Sequence, residues 1–331
     1  MIEKLGCAFA KGNDPYQNLA MEEYLLHIVE PGECIFYLWQ NRKTVVIGKN
    51  QNAWKECRVA ELEAAGGHLA RRLSGGGAVF HDLGNLNFTF LVNREDYDVD
   101  RQTRVILNAV RSFGIPSERS GRNDLTVGGR KFSGNAYYQT DRGCYHHGTI
   151  LIHADEKEME KYLSVSREKL RVKSVDSVRA RVCNLGACSE AVTVAAMRSA
   201  LLAALSQEYA LPFDPLSDER IDSEKLCLLT EKYASPDWKY GRRFPFEYEI
   251  GRRYPWGEVQ ILLHVEGGCI ADLAVYSDGL DTEYPELLRA ALLGQVFSAK
   301  AIKAVMESVP AANGLRAEMR VDIEALLVNA M

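Results

Sequence analysis

Three consecutive glycines, Gly75-Gly76-Gly77, stand between a pair of arginines and a strand-like run carrying a histidine, and they constrain this chain more than any other stretch. The whole segment reads Arg71-Arg72-Leu73-Ser74-Gly75-Gly76-Gly77-Ala78-Val79-Phe80-His81-Asp82-Leu83-Gly84-Asn85. Three residues without Cβ atoms bare the main chain, so a ligand can touch it directly. Their N–H groups can converge on an anion, and forked arginine donors add fixed positive charge. A bare glycine run is also what a flexible turn looks like. The arginines before it and His81-Asp82 after it favour a ligand loop.

The flanking patterns place that loop between a strand at Leu69–Leu73 and another at Ala78–His81. Upstream, Asn13-Asp14-Pro15 reads as a capped helix start, with the helix running to about Val29. Cys34–Trp39 and Thr44–Gly48 read as strands joined by a polar turn, and a helix is expected from about Ala53 to Ala65, ended by Gly66-Gly67. Leu86, Phe88, Phe90 and Val92 alternate onto one strand face. A helix from Thr103 to Phe113 follows, then a hairpin signal at Gly128-Gly129 between Asp124–Val127 and Arg130–Ser133. Tyr145–His153 is a further strand.

Val194, Met197, Leu201, Leu205 and Tyr209 recur at helical spacing. Pro212 and Pro215 end that unit, and Asp218–Lys232 reads as one more helix. Two alternating runs, Val259–Val265 and Ala271–Val275, precede helices at about 283–293, 298–308 and 316–330. At 331 residues the chain is long for one domain, given about 100–200 residues per domain. The turn-rich stretch near residue 243 divides it into 1–243 and 244–331, the second part a small α+β accessory domain.

The totals exclude several classes. A net charge of −5 argues against an electrostatic nucleic-acid binder overall. The N-terminus lacks a signal peptide's apolar core, and no apolar run approaches the ~18–20 residues of a membrane span. Eight scattered cysteines without a CxxC point to reduced thiols and a cytoplasmic protein. Cys144, beside Tyr145-His146-His147, is the one thiol with suggestive neighbours, and a buried structural role suits it better. No GxxxxGK[ST], GxSxG or GxGxxG occurs, which removes the P-loop, hydrolase-elbow and Rossmann readings.

Two further clusters carry chemistry. Across the Gly128-Gly129 hairpin, Asp124 and Lys131 can face each other, Ser133 alternates onto the Lys131 side, and Gly134 permits close approach. A lysine there suits a phosphate or carboxylate oxygen. Alone, the pair could be a solvated surface contact worth at most about 1 kcal/mol. His146 and His147 are adjacent on a strand and so point to opposite faces, which disfavours a shared metal and puts one of them towards a cleft. Together these parts suit a phosphate joined to an apolar acid. Formation of a mixed anhydride needs only positioning and charge neutralisation, with the substrate carboxylate as nucleophile.

The stretches RRLSGGGAVFHDLGN (71–85), SGRNDL (120–125), GRKFSGNAY (129–137) and DRGCYHHGTILIHAD (141–155) closely resemble the lipoate–protein ligase A family. DPYQNLAMEEYLL, TVVIGKNQNAWKEC (44–57) and SVRARVCNL (177–185) extend the likeness across most of residues 1–185. The C-terminal third resembles the family more by pattern, as in WGEVQ (256–260). The resemblance implies an α+β biotin/lipoate ligase-type fold, a mixed sheet with helices related to class II synthetases, plus the small accessory domain. It implies ATP with magnesium as co-substrate, lipoate as substrate, lipoyl-AMP as intermediate and no prosthetic group. Acceptors would be lysines of apo lipoyl domains of 2-oxoacid dehydrogenase E2 subunits and of glycine-cleavage H protein. A monomer that binds neither nucleic acid nor membrane is expected.

Carried over by position, Arg72 and the Gly77-Ala78-Val79-Phe80 backbone hold the adenylate, and Lys131 contacts both the lipoyl carbonyl and the phosphate. Family patterning puts Ser74, Gly76, His81, Asn85, Asp124, Ser133 and Thr149 near the pocket. Magnesium would sit with ATP, near Asp124 if it uses a protein ligand. An ATP-independent lipoyl or octanoyl transferase of the same fold is the nearest alternative. The thioester route needs a cysteine near the pocket, and Glu118–Asp124 before the hairpin contains none. Biotin ligases carry a differently composed loop. A non-catalytic lipoate-binding protein is the remaining alternative.

Overall fold

The computed structural model describes residues 1–121, 123–164, 181–242 and 244–331, so Arg122, residues 177–180 of one family-like run and the boundary residue Arg243 lie outside the described residues. The chain forms two compact units. One comprises Met1–Ile47, Trp54–Arg72 and Ala78–Lys239, and the other Gly48–Ala53, Leu73–Gly77 and Tyr240–Met331. Two short segments that are distant in sequence, 48–53 and 73–77, thus belong with the C-terminal unit.

The larger unit is built on an eight-stranded mixed sheet. Its strands are β1 (Lys4–Phe9), β2 (Glu33–Trp39), β6 (Asn85–Asn93), β7 (Glu118–Ser120), β8 (Asp124–Val127), β9 (Arg130–Gln139), β10 (Gly143–Leu151) and β11 (Phe213–Pro215). They lie in the order β11-β1-β2-β6-β10-β9-β8-β7. β1 pairs parallel with β2 and with β11; the remaining pairs are antiparallel. β3 (Thr44–Ile47), β4 (His68–Arg71) and β5 (Val79–His81) make a second sheet in the order β4-β3-β5. The polar turn after β2 therefore carries the chain from one sheet to another. The two strands flanking the glycine run do not pair with each other, because β3 lies between them.

Local sequence explains most of the helices. α1 (Pro15–Ile28) starts on Asp14, whose carboxylate accepts from the Tyr16 and Gln17 N–H groups at 2.8 and 3.1 Å. The helix expected over 53–65 is broken: a single turn at Ala53–Glu56 is followed by α2 (Val59–Ala64), and between them Cys57 bridges to Leu163. α3 (Val99–Arg111) begins earlier than the sequence pattern suggests because Asp98 caps it. α4 (Glu156–Tyr162), α5 (Val194–Tyr209) and α6 (Ser223–Ala234) complete the major helices described in this unit. The helix expected at Asp218–Lys232 is split into a 3-10 turn and α6, whose cap is Asp222.

One face of the large sheet is apolar. Leu86, Phe88, Phe90 and Val92 of β6 are fully buried there and join a core with Phe36, Leu201 and others. The alternate residues Asn85, Asn87 and Thr89 are buried on the opposite face. A strand buried on both faces, one side apolar and one polar, marks a built interior rather than a solvated surface.

Glu33 on β2 is almost wholly buried and pairs with Arg220 at 2.5 and 2.8 Å. Burial pushes its carboxyl up, but hydrogen bonds from Arg220 and the Glu30 N–H and the Arg220 and Lys4 charges outweigh that and hold it below its usual value. Arg220→Ala should leave this carboxylate buried with little compensation and cost about 3 kcal/mol. A lowered folded pKa contributes stability above the ordinary carboxylate pKa and loses it as pH falls through the folded value. In urea unfolding, the gap between Arg220→Ala and the parent should be full at pH 7 and shrink below about pH 4.

The C-terminal unit holds β12 (Tyr248–Tyr254), β13 (Gly257–Glu266) and β14 (Cys269–Ser277), an antiparallel sheet in that order. α7 (Tyr284–Leu292), α8 (Ala299–Ser308) and α9 (Gly314–Val328) follow, and their buried Leu288, Ile302 and Ile323 share a core with Ile261, Leu263 and Leu273. Among the described residues, no helix is long and apolar enough to cross a membrane.

Candidate active site

Of the expected site residues, Asn85, Asp124, Lys131 and Thr149 share the polar side of the large sheet. The hairpin at Gly128-Gly129 forms, with both glycines at positive φ (55° and 76°). A register shift between Leu125 and Thr126 then sets Lys131 opposite Thr126, and Asp124 opposite Gly134. Lys131 nevertheless reaches Asp124: its Nζ lies 2.7 Å from Oδ1. It does so by crossing Gly134, where a Cβ would stand 2.5 Å from that Nζ. The bareness of Gly134 thus makes room for the lysine. The Gly134 N–H donates to Thr149 Oγ1 at 3.1 Å, so Lys131, Asp124, Gly134 and Thr149 form one group.

A second group lies beside it. Thr149 pairs with Asn87 across β10 and β6. The Asn87 amide lies 3.5 Å from His81 Nδ1, and that of Asn41 lies 3.2 Å from it. Two amide donors on Nδ1 leave the ring proton on Nε2. Burial, then the charges of Arg72 and His147, draws the His81 pKa down to about 3, so the ring is neutral. Its buried Nε2 has no hydrogen-bond partner among the described residues, and neither has Asn85 Oδ1. An unsatisfied buried polar atom costs about 1–3 kcal/mol, so two of them on one polar face are a cost that a polar ligand would offset.

The two arginines divide. Arg71 donates from Nε to the Trp238 carbonyl and from Nη2 to the Lys239 carbonyl, each at 2.8 Å, and the Trp238 indole N–H returns a bond to the Arg71 carbonyl. It ties a neighbouring turn in place. Arg72 is buried on the other side, its Nη1 donating to the Val46 carbonyl at 3.1 Å, and burial lowers its pKa to about 10. Val79, Phe80 and His81 run antiparallel to β3, and the Phe80 ring stacks on Tyr162.

Ser74, Gly76 and Gly77 belong to the other unit. There the Ser74 carbonyl accepts from the Lys49 N–H, and the Gly76 N–H donates to the Gly279 carbonyl at 3.2 Å. A Cβ on Gly75 would collide with that same carbonyl. In this conformation the glycine run packs on backbone.

Two family models match the chain: one described as the lipoyl protein ligase A/B catalytic domain, over residues 14–206, and one as the bacterial lipoate protein ligase C-terminus, over 243–327. The chain belongs to the lipoyl protein ligase A/B family. A relative in Psychrobacter cryohalolentis named lipoate-protein ligase A is 35% identical over 96% of both chains. Among solved structures, P. falciparum LipL1 in complex with lipoate superposes with a TM-score of 0.86 at 26% identity, covering 98% of this chain and 99% of that one. A bipartite lipoate protein ligase from Thermoplasma acidophilum, determined with its E2 lipoyl domain, gives 0.64 at 27% identity, with 74% and 99% covered. A lipoate-protein ligase A bound with ATP gives 0.63 at 25% identity, with 73% and 99% covered. The α+β ligase-type fold with its accessory domain is the fold of this family member.

Ser133 stands apart from the lysine of this lipoyl ligase. The register shift breaks the expected alternation, and the buried Ser133 hydroxyl accepts instead from Asn135 Nδ2 at 3.4 Å. Asn135 Oδ1 contacts His146 Nε2, and the other His146 nitrogen faces Gln102, so His146 is a packed structural residue with its pKa drawn to about 3 by burial. His147 takes the other face, 2.8 Å from Glu22 Oε1. Glu22 also accepts from Thr89, which accepts from the Trp39 indole.

Trp39, Asn41, Asn87, Thr89 and Glu22 join the polar network around His81 and His147, and motif reading missed them. For Asn87 and Thr89 the signal was in the alternation itself, because they are the complement of Leu86, Phe88 and Phe90 on β6. Cys144 is fully buried and burial raises its thiol pKa, which leaves it inert. Among the described residues no group of three or more His, Cys, Asp or Glu could hold a metal.

Proposed function

We infer that this chain is an ATP-dependent lipoate–protein ligase that forms lipoyl-AMP and passes the lipoyl group to the lysine of an apo lipoyl domain. Family membership and the ligase names of its relatives support the activity. The observation that carries it to these residues is the Lys131 ammonium, held by Asp124, on a polar sheet face near which His81 Nε2 and Asn85 Oδ1 are buried without partners among the described residues.

In the first step a lipoate carboxylate oxygen attacks the α-phosphorus of ATP and pyrophosphate leaves. Lys131 lies against the carboxyl and phosphate oxygens and neutralises charge as it builds. The family resemblance assigns the adenylate to Arg72 and the backbone from Gly77 to Phe80, with Ser74, Gly76 and Thr149 near the pocket; His81 Nε2–H offers a donor to the bound carboxylate, and Asn85 Oδ1 an acceptor to an O–H or N–H of the nucleotide. Asp124 is the candidate protein ligand for magnesium, which would be held mainly by the ATP phosphates and would supply further charge neutralisation there. In the second step the acceptor lysine amine attacks the lipoyl carbonyl, Lys131 stabilises the oxyanion, and AMP leaves with the bonding pair. The segment 1–243 does the chemistry, and 244–331 is accessory. H protein of the glycine-cleavage system is a second acceptor, and the protein works as a cytoplasmic monomer.

Purified protein given lipoate, ATP, magnesium and an apo lipoyl domain should add one lipoyl group to the acceptor by mass, with lipoate-dependent pyrophosphate release. An acceptor that stays unmodified in the presence of ATP, but gains the group from supplied lipoyl-AMP, would replace the ligase by a transferase. No adduct under either condition would remove both.

A further inference from the structure

Cys183 and Cys188 are five residues apart and both carry free thiols, and the fold sets their sulfurs 3.5 Å from each other. Cys183 is buried and Cys188 exposed. We propose that these two thiols form a reversible dithiol–disulfide site that controls the placement of Lys131.

The coupling is through the backbone. The Cys183 N–H donates to the Lys131 carbonyl at 2.8 Å, and Val182 bridges Lys131 in parallel register. The other end of the pair is anchored. Asn184 accepts from the Ala154 N–H through Oδ1, and donates through Nδ2 to the Ala154 carbonyl and the Glu156 carboxylate. The Gly186 N–H donates to the Ile152 carbonyl, and the His153 ring lies over Gly186 where a Cβ would stand. A disulfide needs an S–S distance of about 2.05 Å. Closing from 3.5 Å against an anchored turn shifts Val182–Cys183, the segment bonded to Lys131.

The oxidant is a small disulfide such as oxidised glutathione. The exposed Cys188 thiolate attacks one glutathione sulfur and expels a glutathione thiolate. Cys183, whose pKa is raised to about 11 by burial and then by Cys188, gives its proton to solvent and attacks the Cys188 sulfur. The second glutathione leaves, so two thiols and one oxidised glutathione become one protein disulfide and two reduced glutathiones. Burial makes this last step slow and keeps the resting state reduced. A small thiol reverses the reaction.

The full chain is equilibrated in glutathione buffers of graded ratio. Intact mass should show loss of two hydrogens, and digestion should yield a Cys183–Cys188 cross-link. Lipoyl-AMP formation should fall on the order of ten-fold, the scale of a displaced reacting group, and return with dithiothreitol. Hydrogen exchange at the Cys183 amide should rise on oxidation. C188S should keep the reduced rate and ignore oxidised glutathione. The activity measurement rests on the ligase reading, whereas mass and hydrogen exchange do not, so a failure of either idea is told from the other. Thiols that stay reduced by mass, a cross-link that changes neither rate nor exchange, or a C188S variant inactivated like the parent would each overturn the proposal.

Discussion

Lys131→Ala should lower lipoyl-AMP formation and lipoyl transfer together, each on the order of 10²–10³-fold, while the protein stays folded. Two features argue for so large a loss in chemistry and so small a one in stability. The ammonium is the charged end that β9 delivers to the polar face, and the Asp124 carboxylate fixes its direction at 2.7 Å. The side chain is still about a quarter exposed, so deleting the pair costs about 1 kcal/mol or less. Lipoate-dependent exchange of pyrophosphate into ATP reads the first step, and transfer from supplied lipoyl-AMP reads the second. Near-normal adenylation by the alanine variant would remove Lys131 from the mechanism. Gly134→Ala is the companion measurement. Its Cβ would stand 2.5 Å from the lysine Nζ, and a flexible lysine yields more easily than a backbone does, so the variant should melt near the parent temperature and still lose much of its rate.

Much of this arrangement was legible in sequence where the physics is local. The Asp14 cap, the Gly128-Gly129 hairpin and the alternation of β6 each depend on residues a few positions apart, and each forms as expected. Long-range pairing was not legible. Nothing near Thr44–Ile47 says that β3 leaves the large sheet and separates β4 from β5. Pro212 and Pro215 read only as the end of a helical unit, yet Phe213–Pro215 becomes an edge strand parallel to β1, where a missing N–H is tolerated. In the site, motif spacing found the lysine and its aspartate. A one-residue register shift, invisible in the sequence, decided that Ser133 faces Asn135 while Gly134 underlies the lysine. The Cys183–Cys188 pair was hidden for a different reason: its closeness comes from a turn held by Asn184 and Gly186, and the spacing alone matches no thiol motif.

Gly148→Ala should destabilise the larger unit by about 3 kcal/mol, at the upper end of overpacking costs, and lower its melting temperature by roughly 5–10 °C. Gly148 pairs with Phe88 on one side and Asn135 on the other. An added Cβ would lie 2.6 Å from the Phe88 ring, 2.8 Å from Asn135 Oδ1 and 2.9 Å from the Gly134 carbonyl. A fully buried core ring and a strand carbonyl cannot move aside as a lysine tip can, so the strands themselves must part. The rate per folded molecule should then fall less than in Lys131→Ala, because the clash lies on the apolar and His146 side of the sheet. Thermal unfolding with and without lipoate, set beside the initial rate at low temperature, separates the two effects. A Gly148→Ala protein as stable as its parent but inactive would place this glycine against the ligand; a cold-active, heat-labile one would make it a packing residue.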